Sequence, residues 1–137
     1  MNKVLVPIDG SDGAMRALRH AMAMTTAEIL LVNVQPRADS PVLLLHMTQD
    51  DIDKAQAEHG RGTLVEATKV LDAAGRAYRT LVFIGDPAST IARAADAEGV
   101  DAIVMGTRGM GALGNLALGS TATKVVHLAH APVTLVK

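Results

Sequence analysis

Five short apolar runs alternate with longer segments of helical pattern, and this alternation constrains the fold more than any other feature of the sequence. The runs are Lys3–Ile8, Glu28–Val34, Tyr78–Ile84, Asp101–Gly106 and Pro132–Val136. Short apolar runs bounded by turn signals are typical of buried strands, and strands that alternate with helices form parallel βαβ units. The sequence therefore predicts one α/β domain over residues 1–137, a doubly wound five-stranded parallel sheet of order 3-2-1-4-5 with helices on both faces.

Capping residues predict where the helices begin. Ser11 can cap the first helix, and Thr48 with Asp51 resembles a capping box with Asp in the usual place of Glu. Asp86 followed by Pro87 is a strong helix start, because Asp is a good N-cap and Pro suits the first helical position. Each of these starts follows a predicted strand or loop, in agreement with the βαβ pattern.

The segment between the second and third strands is harder to assign. Gln35–Met47 contains two prolines and is predicted to be a loop. The helix that starts at Thr48 is predicted to run to about Ala74 and to end at Gly75, although Gly60 and Gly62 weaken its middle and leave room for a break there. The last helix is predicted over about residues 120–130.

Composition narrows the classes of partner. Aromatic residues make up 1% of the chain and its net charge is −1, which argues against nucleic-acid binding through base stacking or general phosphate affinity. There is no cysteine, and no apolar run approaches the roughly 18 residues of a membrane span. The N-terminal strand reaches Asp9 before a signal-peptide core could form. We expect a cytoplasmic protein with no nucleic-acid or membrane partner.

A glycine-rich segment from Gly106 to Ser120 is the most unusual part of the chain. Five glycines precede a Ser120-Thr121 pair at the predicted start of a helix. Glycine lets a backbone approach a ligand closely, and the unpaired amides at a helix start favour anions. No Asp or Glu follows Asp101, so this part of the chain carries no competing carboxylate. In a doubly wound sheet this segment and the turn at Asp9 lie at the same crevice.

Two familiar nucleotide-binding patterns fit this segment incompletely. Gly109-Met-Gly111-Ala-Leu-Gly114 matches the dinucleotide fingerprint, but the acidic residue expected about 20 positions later is missing. The stretch from Gly114 to Thr121 resembles a P-loop with Ser120 in the position of the lysine. Without that lysine, fast phosphoryl transfer lacks its charge clamp, so phosphate binding is better supported than catalysis.

The spacing Gly106-x₂-Gly109-x₉-Gly119-Ser120 resembles the ATP-binding signature of universal stress proteins. The resemblance covers essentially the whole chain and includes Pro7-x-Asp9 at the end of the first strand. It implies the five-stranded fold, ATP as the ligand and Mg²⁺ as its companion. The binding residues that it implies are Pro7, Ile8, Asp9, Val34, Met105, Gly106, Arg108, Gly109, Gly119, Ser120 and Thr121.

Three functions remain open at this point. The first is a stress-response regulatory protein whose ATP occupancy changes its shape or partners. The second is a slow ATP hydrolase, and the third is an interaction module that does not use nucleotide. The last strand, within Ala131–Val136, is short, apolar and predicted at the sheet edge, so we expect a homodimer formed through it.

Overall fold

The computed structural model describes residues 1–38, 40–107 and 118–137, and their five strands form one parallel sheet of order β3-β2-β1-β4-β5. This confirms the predicted architecture and strand order. The strands are β1 Lys3–Pro7, β2 Glu28–Gln35, β3 Tyr78–Ile84, β4 Ala102–Gly106 and β5 Val133–Val136. The helices are α1 Asp12–Met24, α2 Pro41–Leu44, α3 Gln49–Thr63, α4 Val65–Ala73, α5 Pro87–Glu98 and α6 Ser120–Leu128.

Alternating side chains of the central strands build two apolar layers, one on each face of the sheet. Val4 and Val6 of β1 pack with α1 and α4, where Leu18 and Leu71 are fully buried. Leu5, between them in the sequence, packs on the opposite face with α5 and α6. Because side chains in a strand alternate between faces, a strand that is apolar at every position needs helices on both sides, as predicted.

The predicted helix starts are confirmed by their capping bonds. The Ser11 hydroxyl accepts a hydrogen bond from the Ala14 amide at 3.1 Å. Thr48 and Asp51 form both bonds of a capping box. Asp86 caps α5 and accepts from the Ser89 amide at 3.1 Å, which holds the pKa of the Asp86 carboxyl below its usual range. These bonds satisfy backbone donors that helices leave unpaired at their first turn.

The connection between β2 and β3 differs from the prediction in two ways. The predicted loop over Gln35–Met47 contains the short helix α2, which starts at Pro41 after an extended Ser40. Its apolar side chains are exposed, Val42 by 66%. The long predicted helix is two helices that meet at Leu64, which is the last cap of α3 and the first cap of α4. The break lies two residues after Gly62, close to the weakened middle.

Asp101 ties the beginnings of two neighbouring strands together. Its carboxylate accepts hydrogen bonds from the backbone amides of Asn2 at 2.6 Å and Lys3 at 3.0 Å. These bonds lower the pKa of the Asp101 carboxyl, because they favour its charged form. The contacts lie at the amino edge of the sheet, where they hold the start of β1 against the start of β4. No helix of the described residues is long and apolar enough to cross a membrane.

Candidate functional site

The winding of the chain reverses between β1 and β4, which are neighbours in the sheet although β2 and β3 separate them in sequence. Their register pairs Val4 with Ala102 and Leu5 with Ile103. Continuing this register brings Pro7 level with Met105, so both strands end at the same height. Ligands of doubly wound sheets bind in the crevice beyond such strand ends.

The turn after β1 brings Asp9 to this crevice. Asp9 is exposed, and its side chain accepts a hydrogen bond from the Ser11 amide at 2.9 Å. Gly10 has a φ of +87°, a conformation that side chains other than that of glycine rarely adopt. Ile8 is 2% exposed and packs in the layer of α1, so only its backbone faces the turn. The result is a tight turn that presents a carboxylate beyond the sheet.

Val34 and Met105 are apolar residues near the ends of β2 and β4. Both contact the layer between the sheet and α5 and α6. Val34 is half-buried, as is Pro7 at the end of β1, and Met105 is buried. Of the residues predicted from the resemblance, these three therefore lie near one edge of the sheet, beside the Asp9 turn.

The two ends of the glycine-rich segment meet at the end of β4. Thr107 donates its amide proton to the carbonyl of Val136 at 3.1 Å, and Gly119 donates to the carbonyl of Thr107 at 2.6 Å. Gly106 ends β4, and Gly119 immediately precedes α6. The segment therefore leaves and re-enters the fold at one point. Arg108 and Gly109, also predicted to bind the ligand, lie outside the described residues.

Helix α6 begins at this crevice, at the end of the glycine-rich segment. Its N-cap is Gly119, which has no side chain to accept from the first amides. Side chains supply that acceptor at the starts of α1, α3 and α5. The first turn of α6 contains Ser120 and Thr121 and no acidic residue. The helix dipole and the amide groups at this end therefore favour an anion, and two hydroxyls stand beside them.

Comparison with protein families decides what kind of protein this is. The model of the universal stress protein family matches residues 1–137. The chain belongs to the universal stress protein family. The resemblance predicted from the glycine spacing and from Pro7-x-Asp9 is thereby confirmed at the level of the family.

Individual universal stress proteins match over nearly their whole length. A Thermus aquaticus protein is 37% identical over 98% of this chain and 97% of its own length. Universal stress protein MJ0531 of Methanocaldococcus jannaschii is 33% identical over 98% of this chain and 81% of its own. The structure of MJ0577 from the same organism has a TM-score of 0.85 at 27% identity, with 99% of this chain and 95% of that chain covered.

Two more distant structures share this fold and contain adenine nucleotides. A universal stress protein in complex with cAMP is 23% identical to this chain, and an Arabidopsis thaliana family protein with AMP bound is 22% identical. Both have a TM-score of 0.68. At this level of identity the two structures show only that the fold is shared.

The sequence did not single out Asn33, a buried polar residue of this universal stress protein near the site. It lies in β2 and is 2% exposed. An amide within an apolar strand is the signal that could have identified it, because a buried polar side chain needs hydrogen-bond partners.

Among the described residues no group of three or more His, Cys, Asp or Glu side chains could hold a metal ion by itself.

Proposed function

We propose that this chain binds ATP together with Mg²⁺ at the crevice between β1 and β4 and acts as a nucleotide-binding regulatory protein of the stress response. The observation that carries the proposal is the start of α6, where Gly119 leaves the first-turn amides without a side-chain cap. This start lies at the switch point of the sheet, the place where doubly wound folds bind ligands. Family membership supports the same reading.

The phosphates are proposed to lie at the start of α6. Gly119 allows close approach of the backbone, and Ser120 and Thr121 offer hydroxyl donors next to the helix amides. Gly106, Arg108 and Gly109 complete this part of the site by resemblance to the family signature. Phosphate oxygens and waters together supply most of the ligands that Mg²⁺ needs, and the exposed Asp9 carboxylate is a suitable further oxygen ligand or ribose contact.

The adenine and ribose are proposed to lie against the ends of the strands. The half-buried Pro7 and Val34 offer apolar surface there, with the buried Met105 at the end of β4, and the backbone of Ile8 leads into the Asp9 turn. The flat adenine ring is stabilised by burial against such side chains, whereas the charged phosphates lie at the amides of α6. In this orientation the adenine lies against apolar side chains and the phosphates lie at hydrogen-bond donors.

The experiment that tests the proposal substitutes the glycine cap of α6. Gly119→Asp places a carboxylate on the first amides, where it caps the helix and repels phosphate. We expect the melting temperature to stay equal or rise, while affinity for Mg-ATP falls at least about tenfold, or about 1.4 kcal/mol. Calorimetric titration of nucleotide-free protein measures the affinity, and thermal unfolding without ligand measures the stability.

Gly119→Asn is the matched control, because asparagine caps a helix equally well without a charge. Its loss of affinity should be clearly smaller than that of Gly119→Asp. Nucleotide released from denatured wild-type protein is expected to be an adenine nucleotide. Wild-type protein that neither releases a nucleotide nor binds Mg-ATP would show that the site is misassigned.

We also propose a cytoplasmic homodimer that forms through the edge of the sheet at β5. Val133–Val136 pairs with β4 on one side, is half-buried and lies at the end of the sheet order. Edge strands of this kind readily pair with a second chain. Light scattering at micromolar concentration should give twice the mass of one chain, and a monomer mass would contradict the proposal.

A further inference from the structure

The amide side chain of Asn33 connects β2 to the turn that contains Asp9. Its Nδ2 donates a hydrogen bond to the carbonyl of Ile8 at 2.9 Å. The amide of the same residue, Ile8, donates to the carbonyl of Val32 at 2.8 Å. The backbone of Ile8 is therefore held to β2 through its donor and its acceptor, one bond coming from the strand and the other from a side chain.

This bond acts at the point where regular strand pairing stops. The register of β1 against β2 ends with Pro7 and Val32, so the carbonyl of Ile8 lies just past the paired residues. The peptide group between Ile8 and Asp9 is planar and trans, so its N–H points opposite to its C=O. Holding the carbonyl toward β2 therefore turns the Asp9 amide toward β4 and the crevice.

Helix α3 packs closely against both the Asn33 side chain and the turn that contains Asp9 and Gly10. A Cβ atom built on Gly60 would lie 2.7 Å from Asn33 Oδ1, which shows how closely the helix backbone approaches this side chain. A Cβ atom on Gly10 would lie 3.5 Å from Cγ2 of Thr63, in the last turn of the same helix. Gln35 Nε2 also donates to Asn33 Oδ1, at 2.8 Å. The close approach of α3 leaves the Asn33 side chain little room, and the Gln35 bond gives its oxygen a donor.

We propose that Asn33 is a positioning residue of the nucleotide site. Its Nδ2 holds the Ile8 carbonyl and thereby sets the direction in which the Asp9 turn faces the bound nucleotide. The inference rests on the proposed function, and it adds a buried residue that would act through the Ile8 carbonyl. A buried amide that satisfies a carbonyl at a strand end is well suited to this task, because leaving either group unpaired is unfavourable.

The test compares two amides of the same cluster. Asn33→Ala removes the donor to Ile8, whereas Gln35→Ala removes only a neighbour of Asn33 and leaves the Ile8 bond in place. We expect Asn33→Ala to weaken Mg-ATP binding about tenfold and Gln35→Ala to change it less than about threefold. If Asn33→Ala does not fold, Asn33→Thr replaces it, because threonine suits a strand and is too short to reach the carbonyl.

A second readout separates positioning from general loss of stability. Leu71→Ala, in α4, should lower the melting temperature at a place remote from the Asp9 turn and leave the affinity unchanged. Hydrogen exchange of the Asp9 and Gly10 amides should become faster in Asn33→Ala, by more than the change in global stability explains, and not in Leu71→Ala. Wild-type affinity in the Asn33 variant would overturn the inference while the proposed function stands. Absence of nucleotide binding by the wild-type protein would overturn both.

Discussion

Gly60→Ala is expected to lower the free energy of unfolding by about 1–3 kcal/mol, although alanine is the better helix former. A Cβ atom at this position would lie 2.6 Å from Val82 Cγ1 and 2.7 Å from Asn33 Oδ1. Separations under 3.0 Å are essentially never seen for real Cβ atoms. Helix α3 would have to move away from β2 and β3, and the packing lost outweighs the gain in helix propensity.

Gly62→Ala is the matched control, because it changes the same residue type two positions later in the same helix. Apart from its chain neighbours and the backbone of its own helix, no atom of the described residues lies within 4 Å of a Cβ built there. The substitution should raise the free energy of unfolding by up to about 1 kcal/mol through helix propensity alone. Urea unfolding of both variants measures the two changes. Effects of the same sign would contradict the close approach of α3 at Gly60.

Arg76→Met is expected to lower the free energy of unfolding by about 2 kcal/mol. The Arg76 guanidinium donates to the carbonyls of Met22 at 2.9 Å, Thr25 at 2.7 Å and Ala27 at 3.2 Å. These carbonyls lie at the end of α1 and in the connection to β2, where helix acceptors lose their intrahelical partners. Methionine preserves an apolar stem of similar length but cannot donate a hydrogen bond. The three carbonyls would then lose their donor at a half-buried position.

Arg79→Met is the comparison for this prediction. The Arg79 guanidinium lies 2.6 Å from Glu98 and 3.5 Å from Glu28, yet its side chain is 46% exposed. Exposed ion pairs contribute about 0–1 kcal/mol and weaken with salt, so this substitution should cost less than Arg76→Met. Urea unfolding of both variants at low and high salt measures the two losses of free energy of unfolding. A larger loss for Arg79→Met would contradict the prediction that the three carbonyl contacts of Arg76 contribute more to stability.

Helix and strand positions could be predicted well because their signals are local. A capping box such as Thr48 with Asp51 acts within one helical turn, and Asp86-Pro87 specifies a helix start in any context. The short helix at Pro41 was missed because two prolines nearby favour a loop, while a single helical turn leaves little periodicity to detect. The division between α3 and α4 was foreseen only as a weakness near Gly60 and Gly62.

The candidate site was predictable in part for a different reason. In a parallel doubly wound sheet the strand order alone determines which turns share the switch point. Asp9 and Gly106 could therefore be predicted to lie at the same crevice from the sequence, and the observed strand order agrees. Glycine spacing then indicated the family, which the match over residues 1–137 confirmed. Asn33 was missed, since the role proposed for it depends on the carbonyl of Ile8, which lies just after β1 and twenty-five residues away in the chain.

By itself the sequence determined the alternation of strands and helices, their order in the sheet and the edge at which a ligand can bind. The alternation follows from periodicity and capping, which are properties of neighbouring residues, whereas the strand order and the ligand-binding edge follow from the doubly wound arrangement that this alternation predicts. Only the tertiary structure decided that Gly60 is required for close packing and that Asn33 holds the Asp9 turn. Both depend on which atoms of separate elements come within contact distance, and that distance is set by the packing of the whole domain.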